Sequence, residues 1–179
     1  ETLAASLEYG THDSFYATAG TRLEAGPAAF GFQAGHYTSD GFSAAEGGTD
    51  ADGFRQTELA GRAEVALTGA LSAFATGRMA DGRLEIDGFP APAFVLADTA
   101  EYQETRQRSG TAGLRYASRD FELQAVASLA DTERDSFDPA FGAAPGYTTD
   151  GESERAELRG RWGFAQGLAL DFGAEKEWQ

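Results

Sequence analysis

From residue 155 to residue 175 the sequence changes polarity at almost every step. In Arg155-Ala156-Glu157-Leu158-Arg159-Gly160-Arg161-Trp162-Gly163-Phe164 the odd positions are charged up to Arg161 and the even ones are apolar or glycine. Leu168, Leu170, Phe172 and Ala174 then alternate with Ala169, Asp171, Gly173 and Glu175, after the short turn Ala165-Gln166-Gly167. A period of two belongs to β-strands with unlike faces, and helical periodicity is nearly absent. Pairing residue 164 with 168 sets Arg161 against Asp171 and Arg155 against Glu177 on one face, and Trp162 against Leu170 on the other. Such cross-strand pairs contribute roughly 0.2–1 kcal/mol each.

The same construction recurs upstream. Around Ser118-Arg119, Tyr116, Leu114 and Ala112 would oppose Phe121, Leu123 and Ala125, with Arg115 meeting Glu122 on the other face. Leu23 would meet Phe30 around Gly26-Pro27, and a further turn falls at Thr68-Gly69, where Phe74 breaks the parity of the next strand. Between these turns lie the long polar segments 38–54, 81–100 and 133–152. The pattern predicts about nine antiparallel strands, the first at 2–9 joined to 14–24 by Gly10-Thr11-His12-Asp13.

Short turns at one end and long loops at the other, with strands of ten residues or more, are what a transmembrane β-barrel requires. Phe30, Tyr116, Phe121, Trp162 and Phe164 sit within a few residues of short turns, as an interfacial girdle would, and Trp178 could join the opposite girdle. A soluble β-sandwich, a solenoid or a propeller with aromatics in its core is the alternative. Strands in soluble proteins average only about 5–6 residues, which favours the barrel.

Composition narrows the classes further. Fourteen basic residues face 29 acidic ones, a formal charge of −15, and only one of the basic residues is lysine. That balance excludes a nucleic-acid binder, which needs clustered cations to neutralise phosphates. The absence of cysteine excludes disulfide scaffolds, thiolate metal sites and cysteine catalysis. No apolar run approaches the roughly 18 residues of a membrane helix, and residue 1 opens no signal-peptide pattern.

Nothing points to an enzyme: there is no phosphate-binding glycine loop, nucleophile elbow or paired histidine motif, and His12 and His36 read as surface positions. The most specific local feature is Thr49-Asp50-Ala51-Asp52-Gly53-Phe54. It resembles the middle of an EF-hand loop, but Gly48 falls on the first ligand position and Glu58 one residue short of the last, so an EF-hand is rejected. Oxygen donors beside a turn-forming glycine remain, with Asp81, Asp87 and Asp98 in the next long segment. Hard oxygen clusters suit calcium, although Asp and Gly are also simply good turn formers. A second charged group, Glu58, Arg62, Glu64, Arg155, Glu157, Arg159, Arg161, Asp171, Glu175 and Glu177, falls on one face and reads as a solvated, cross-paired interior.

Ser39-Asp40-Gly41-Phe42-Ser43 followed by Thr49-Asp50-Ala51-Asp52-Gly53-Phe54 and the strand at Leu59-Ala60-Gly61 resembles the early barrel of TonB-dependent outer-membrane receptors. Among them it is most similar to the cobalamin receptors. Glu85-Ile86-Asp87-Gly88-Phe89-Pro90, Leu96-Ala97-Asp98-Thr99, Ala112-Gly113-Leu114-Arg115-Tyr116 and Phe137-Asp138-Pro139 carry the resemblance along nearly the whole chain. Siderophore and haem receptors share parts of it.

The resemblance implies that residues 1–179 are about nine up-and-down strands of a 22-strand barrel domain in the cell outer membrane. The domain would be incomplete at both ends and the N-terminal plug absent. The whole receptor would act as a monomer, bind cobalamin or a related corrinoid, and import it with energy delivered by TonB through the plug. It also implies calcium held by Asp50, Asp52, Asp87 and Asp98, clamping two acidic loops, with Ser43 standing where the family has a further acidic ligand. The other expectations are a siderophore or haem receptor, a passive porin or adhesin barrel, and a soluble acidic module.

Overall fold

The computed structural model describes all 179 residues. It contains no helix. Nine strands follow one another: β1 (Thr2–Tyr9), β2 (Phe15–Ala25), β3 (Ala28–Ser39), β4 (Phe54–Ala66), β5 (Leu71–Gly88), β6 (Ala97–Ala117), β7 (Phe121–Phe137), β8 (Tyr147–Ala165) and β9 (Leu168–Trp178). They form one antiparallel up-and-down sheet in sequence order. Only neighbouring strands touch, so the sheet is open and β1 and β9 are edges. Of 119 backbone hydrogen bonds, 104 lie within the ladders, whereas the buried apolar residues are just Ala45 and Ala80. The ladders, not a core, therefore hold this unit together.

The alternation read from the sequence sets the registers. Arg161 opposes Asp171, Trp162 opposes Leu170 and Leu23 opposes Phe30 as expected. Gly167, at φ +76°, closes the last turn in a conformation that favours glycine. Arg155 lies opposite Glu177, but its guanidinium reaches diagonally to Glu175, while Glu177 accepts from Ser153.

Around residue 119 the expected register is off by two. Tyr116 opposes Leu123, Leu114 opposes Ala125, Ala112 opposes Ala127, and Arg115 meets Gln124 rather than Glu122. The cause is Ser118, whose N–H and hydroxyl both donate to the Phe121 carbonyl, which moves the two-residue turn to Arg119-Asp120. A shift of two preserves parity, so every side chain keeps its predicted face. Phe74 does not interrupt β5 either. Its ring lies on the polar face over Gly113, where an added Cβ would come 2.6 Å from it, and Arg115 stacks 5.5 Å above.

The segments expected as long loops at 81–100 and 133–152 are mostly strand. β5 and β6 run on to Gly88 and from Ala97, and β7 and β8 to Phe137 and from Tyr147. Acidic side chains on both faces had erased the alternation there.

Paired residues share a face, so one can follow the apolar face strand by strand. Its apolar side chains extend to Tyr9 on β1 and Phe15 on β2, and to Ala34, Leu59 and Met79 on β3, β4 and β5. On β6 and β7 the run ends at Ala112 and Leu129, on β8 at Ala156 and on β9 at Ala174, with Trp178 on the same face beyond Lys176. Beyond these come His36, Thr57, Asp81, Arg108, Asp131, Glu154 and Lys176 on the same face. Measured against the register, the edge descends by five two-residue steps across eight strand spacings. At about 6.6 Å per step and about 4.8 Å per spacing the slope is about 40° to the line of pairing.

The four short turns descend in the same sense, so the apolar surface is a slanted band. On β7 its width is the five side chains Phe121, Leu123, Ala125, Ala127 and Leu129. From the first to the last that is about 26 Å along the strand, or a height of about 20 Å between their Cα atoms once the slope is taken out. Aromatics gather at the turn-side edge, with Tyr116 and Phe121 at 6.2 Å, Phe121 and Phe172 at 6.4 Å, and Trp162 and Phe164 at 5.7 Å between ring centroids. The opposite, polar face is concave: the paired row Thr2, Arg22, Gly31, Arg62, Thr76 and Thr111, one residue from each of β1–β6, lines a single hollow.

Candidate metal centre

The loop 40–53 folds back over the far end of the β5–β6 hairpin. It is pinned at one side by the Asp40 N–H and the Ser39 hydroxyl, both donating to the His12 carbonyl, and by the His12 and Phe42 rings, 5.7 Å apart. At the other side the Glu85 N–H donates to the Gly53 carbonyl at 2.8 Å, continuing the ladder by one bond. Gly41 has φ +71°, and a Cβ there would fall on the Asp52 carbonyl, so this sharp turn is closed to other residues.

The β5–β6 ladder shifts register between Ile86 and Gly88, so Asp87 sits at a bulge and Asp98 lies opposite it just inside β6. A bulge re-aims its side chain, and both carboxylates turn toward the loop. The Ser43 hydroxyl oxygen lies 3.0 Å from Asp87 Oδ2 and 2.9 Å from Asp98 Oδ1. Backbone donors converge on the same group: Ala45 N–H to Asp87 at 2.7 Å, Ala44 N–H to Asp52 at 3.0 Å, and Thr49 and Asp50 N–H to Asp98 at 2.7 and 3.2 Å. A Cβ on Gly48 would fall on Ser43 Oγ and Asp98 Oδ1, so the loop could not come this close with any other residue there.

Of the four acidic residues that the resemblance implies, the structure brings the side chains of Asp52, Asp87 and Asp98 together. Asp50 joins through its backbone. Asp81 lies apart, in the ladder opposite Thr57 and Arg106. None of the four has a basic partner within ion-pair distance. Ser43, read from the sequence only as a departure from the family, is the hub of the cluster. No residue-type signal marks it, because its role comes from the two chain segments that meet around it.

The carboxyls of Asp52 and Asp98 are shifted in opposite directions. Burial holds the Asp52 carboxyl above its ordinary range, with the neighbouring Asp87 charge adding to the rise and the Ala44 N–H opposing it. The N–H groups of Thr49 and Asp50, with the Ser43 hydroxyl, hold Asp98 below the ordinary range. Asp87 Oδ1 is buried and has no hydrogen-bond partner. Ser43 has one hydroxyl hydrogen to offer two carboxylates, so one of its two contacts brings oxygen to oxygen without a proton between them.

Unpaired carboxylates, an orphaned carboxylate oxygen and backbone carbonyls nearby form a hard-oxygen donor set, which fits calcium in chemical type. As placed, no three acidic or imidazole groups converge on one coordinating point, and the hydroxyl of Ser43 occupies the middle instead. No protein-family model matches the chain.

Proposed function

We propose that this chain is part of the wall of a larger outer-membrane β-barrel, a TonB-dependent receptor that binds and imports cobalamin or a related corrinoid. The observation that carries the membrane part of this reading is the slanted apolar band. Strands of a transmembrane barrel tilt by about 35–45° and present an apolar belt about 25 Å tall between aromatic girdles. A band that slopes by about 40° to the line of strand pairing, which tilts the strands by that same angle from the normal of the band, matches that geometry. A soluble sheet of this size would bury the same face against a second layer. The open edges of β1 and β9 then pair with further strands of the barrel, since uncovered edges are a liability in any sheet.

The receptor part rests on the loop resemblance and on the cluster around Ser43. Asp52, Asp87 and Asp98, with Asp50 beside them, would hold a calcium ion, whose charge offsets the repulsion between loop 40–53 and the β5–β6 hairpin. These residues then fix the loop over the barrel mouth in one shape. Cyanocobalamin binding by the complete, membrane-inserted protein, with calcium and with a chelator, tests this. Tight binding that weakens on chelation is expected. Failure to bind under both conditions overturns the corrinoid reading in favour of a siderophore or haem ligand. Solubility as a monomer in plain buffer overturns the barrel itself.

A further inference from the structure

We propose that the hollow in the polar face is a binding site for a phosphate group. The chain carries 14 basic residues against 29 acidic ones, yet Arg22, Arg62 and Arg78 line this one hollow together with Gln33, Thr76 and Thr111. Arg22 and Arg62 lie on the same cross-strand row with Gly31 between them, and Arg78 is the diagonal neighbour of Arg62 through Thr76.

Because Gly31 has no side chain, Arg62 lies across it toward β2. A Cβ on Gly31 would come 3.1 Å from Arg62 Cγ and 3.2 Å from its Nε. Arg22 is paired with Glu24 at 3.2 Å and Arg78 with Glu58 at 2.9 Å, but Arg62 has no carboxylate partner. The Arg62 side chain therefore lies over β3 on the row it shares with Arg22, with no carboxylate of its own. That arrangement is stable when an anion sits between them. Guanidinium groups carried by three strands, with flanking hydroxyls, are the usual donors to a tetrahedral oxyanion. Six strands build the hollow whatever covers the apolar face, so this site does not depend on the membrane reading.

The test is calorimetric titration of inorganic phosphate into the full chain folded in detergent at low ionic strength, with β-type circular dichroism as the fold control. Saturable binding is expected, weakened about tenfold or more by Arg62→Gln and unchanged by Arg119→Gln at the distant β6–β7 turn. Gly31→Ala keeps all three arginines but displaces Arg62, and should weaken binding similarly. That variant serves if Arg62→Gln loses its fold. The absence of saturable binding by the folded wild type overturns the proposal. Equal weakening by Arg62→Gln and Arg119→Gln, the mark of diffuse charge, overturns it as well.

Discussion

The Ser43 hydroxyl lies 3.0 Å from a carboxylate oxygen of Asp87, 44 residues away, and Asp87's other oxygen is buried without a partner. A calcium ion reaching that orphaned oxygen would also satisfy the oxygen pair that one serine proton cannot. Asp87→Asn keeps the shape and removes the charge. In the complete protein it should weaken calcium binding at least about tenfold by titration calorimetry, since hard cations depend on ligand charge. An unchanged affinity would place calcium elsewhere.

Gly48→Ala puts a methyl group onto Ser43 Oγ and Asp98 Oδ1. Loop 40–53 must lift to accommodate it, at a cost of about 1–3 kcal/mol. Hydrogen exchange should quicken at the Ala45, Thr49 and Asp50 amides while β7 and β8 keep their protection. Uniform loss across the sheet would contradict a local role.

Acidity should act on the calcium-free loop in two opposed ways. The Asp52 carboxyl is raised in the fold, so its contribution is full below the ordinary carboxylate range and is lost as pH climbs through the raised value. Asp98 is lowered, so its contribution is present above the ordinary range and is lost as pH falls through the depressed value. With a chelator present, protection of loop 40–53 from proteolysis should peak at mildly acidic pH. Asp52→Asn should abolish the decline on the alkaline side alone, and calcium should extend protection to neutral pH.

Parity makes the membrane reading testable at adjacent residues. Ala125 sits mid-band on the apolar face and Gln124 on the polar one. Ala125→Arg should destabilise the inserted barrel by about 2–4 kcal/mol, whereas Gln124→Arg should cost little. Equal costs in a denaturant titration from bilayers would remove the distinction between lipid and lumen.

Registers were legible wherever alternation was strict. Trp162 opposite Leu170 follows from parity and a glycine turn, while the β6–β7 pairing slipped by two because a single serine side chain re-centred the turn. The upper halves of β5 to β8 were hidden, since Asp81, Arg106, Asp131 and Glu152 make both faces polar and leave no period to read. The slanted band had no signature in any one strand and exists only once all nine registers are stacked. For the cluster, spacing along the chain could not bring Asp52 to Asp87. The resemblance named the acidic residues, but not the central place of Ser43, nor that Asp50 takes part through its backbone.

β5 outruns β4: the last pair between them is Phe54 with Leu84, and Glu85 to Gly88 continue beyond it. On that side those residues would offer bare amides and carbonyls to any passing strand. Loop 40–53 covers them, through the Gly53 carbonyl on the Glu85 amide and the Ala45 amide on Asp87. The acidic loop is thus also a guard against strand addition. Whatever detaches it uncovers a short adhesive edge at the tip of the β5–β6 hairpin.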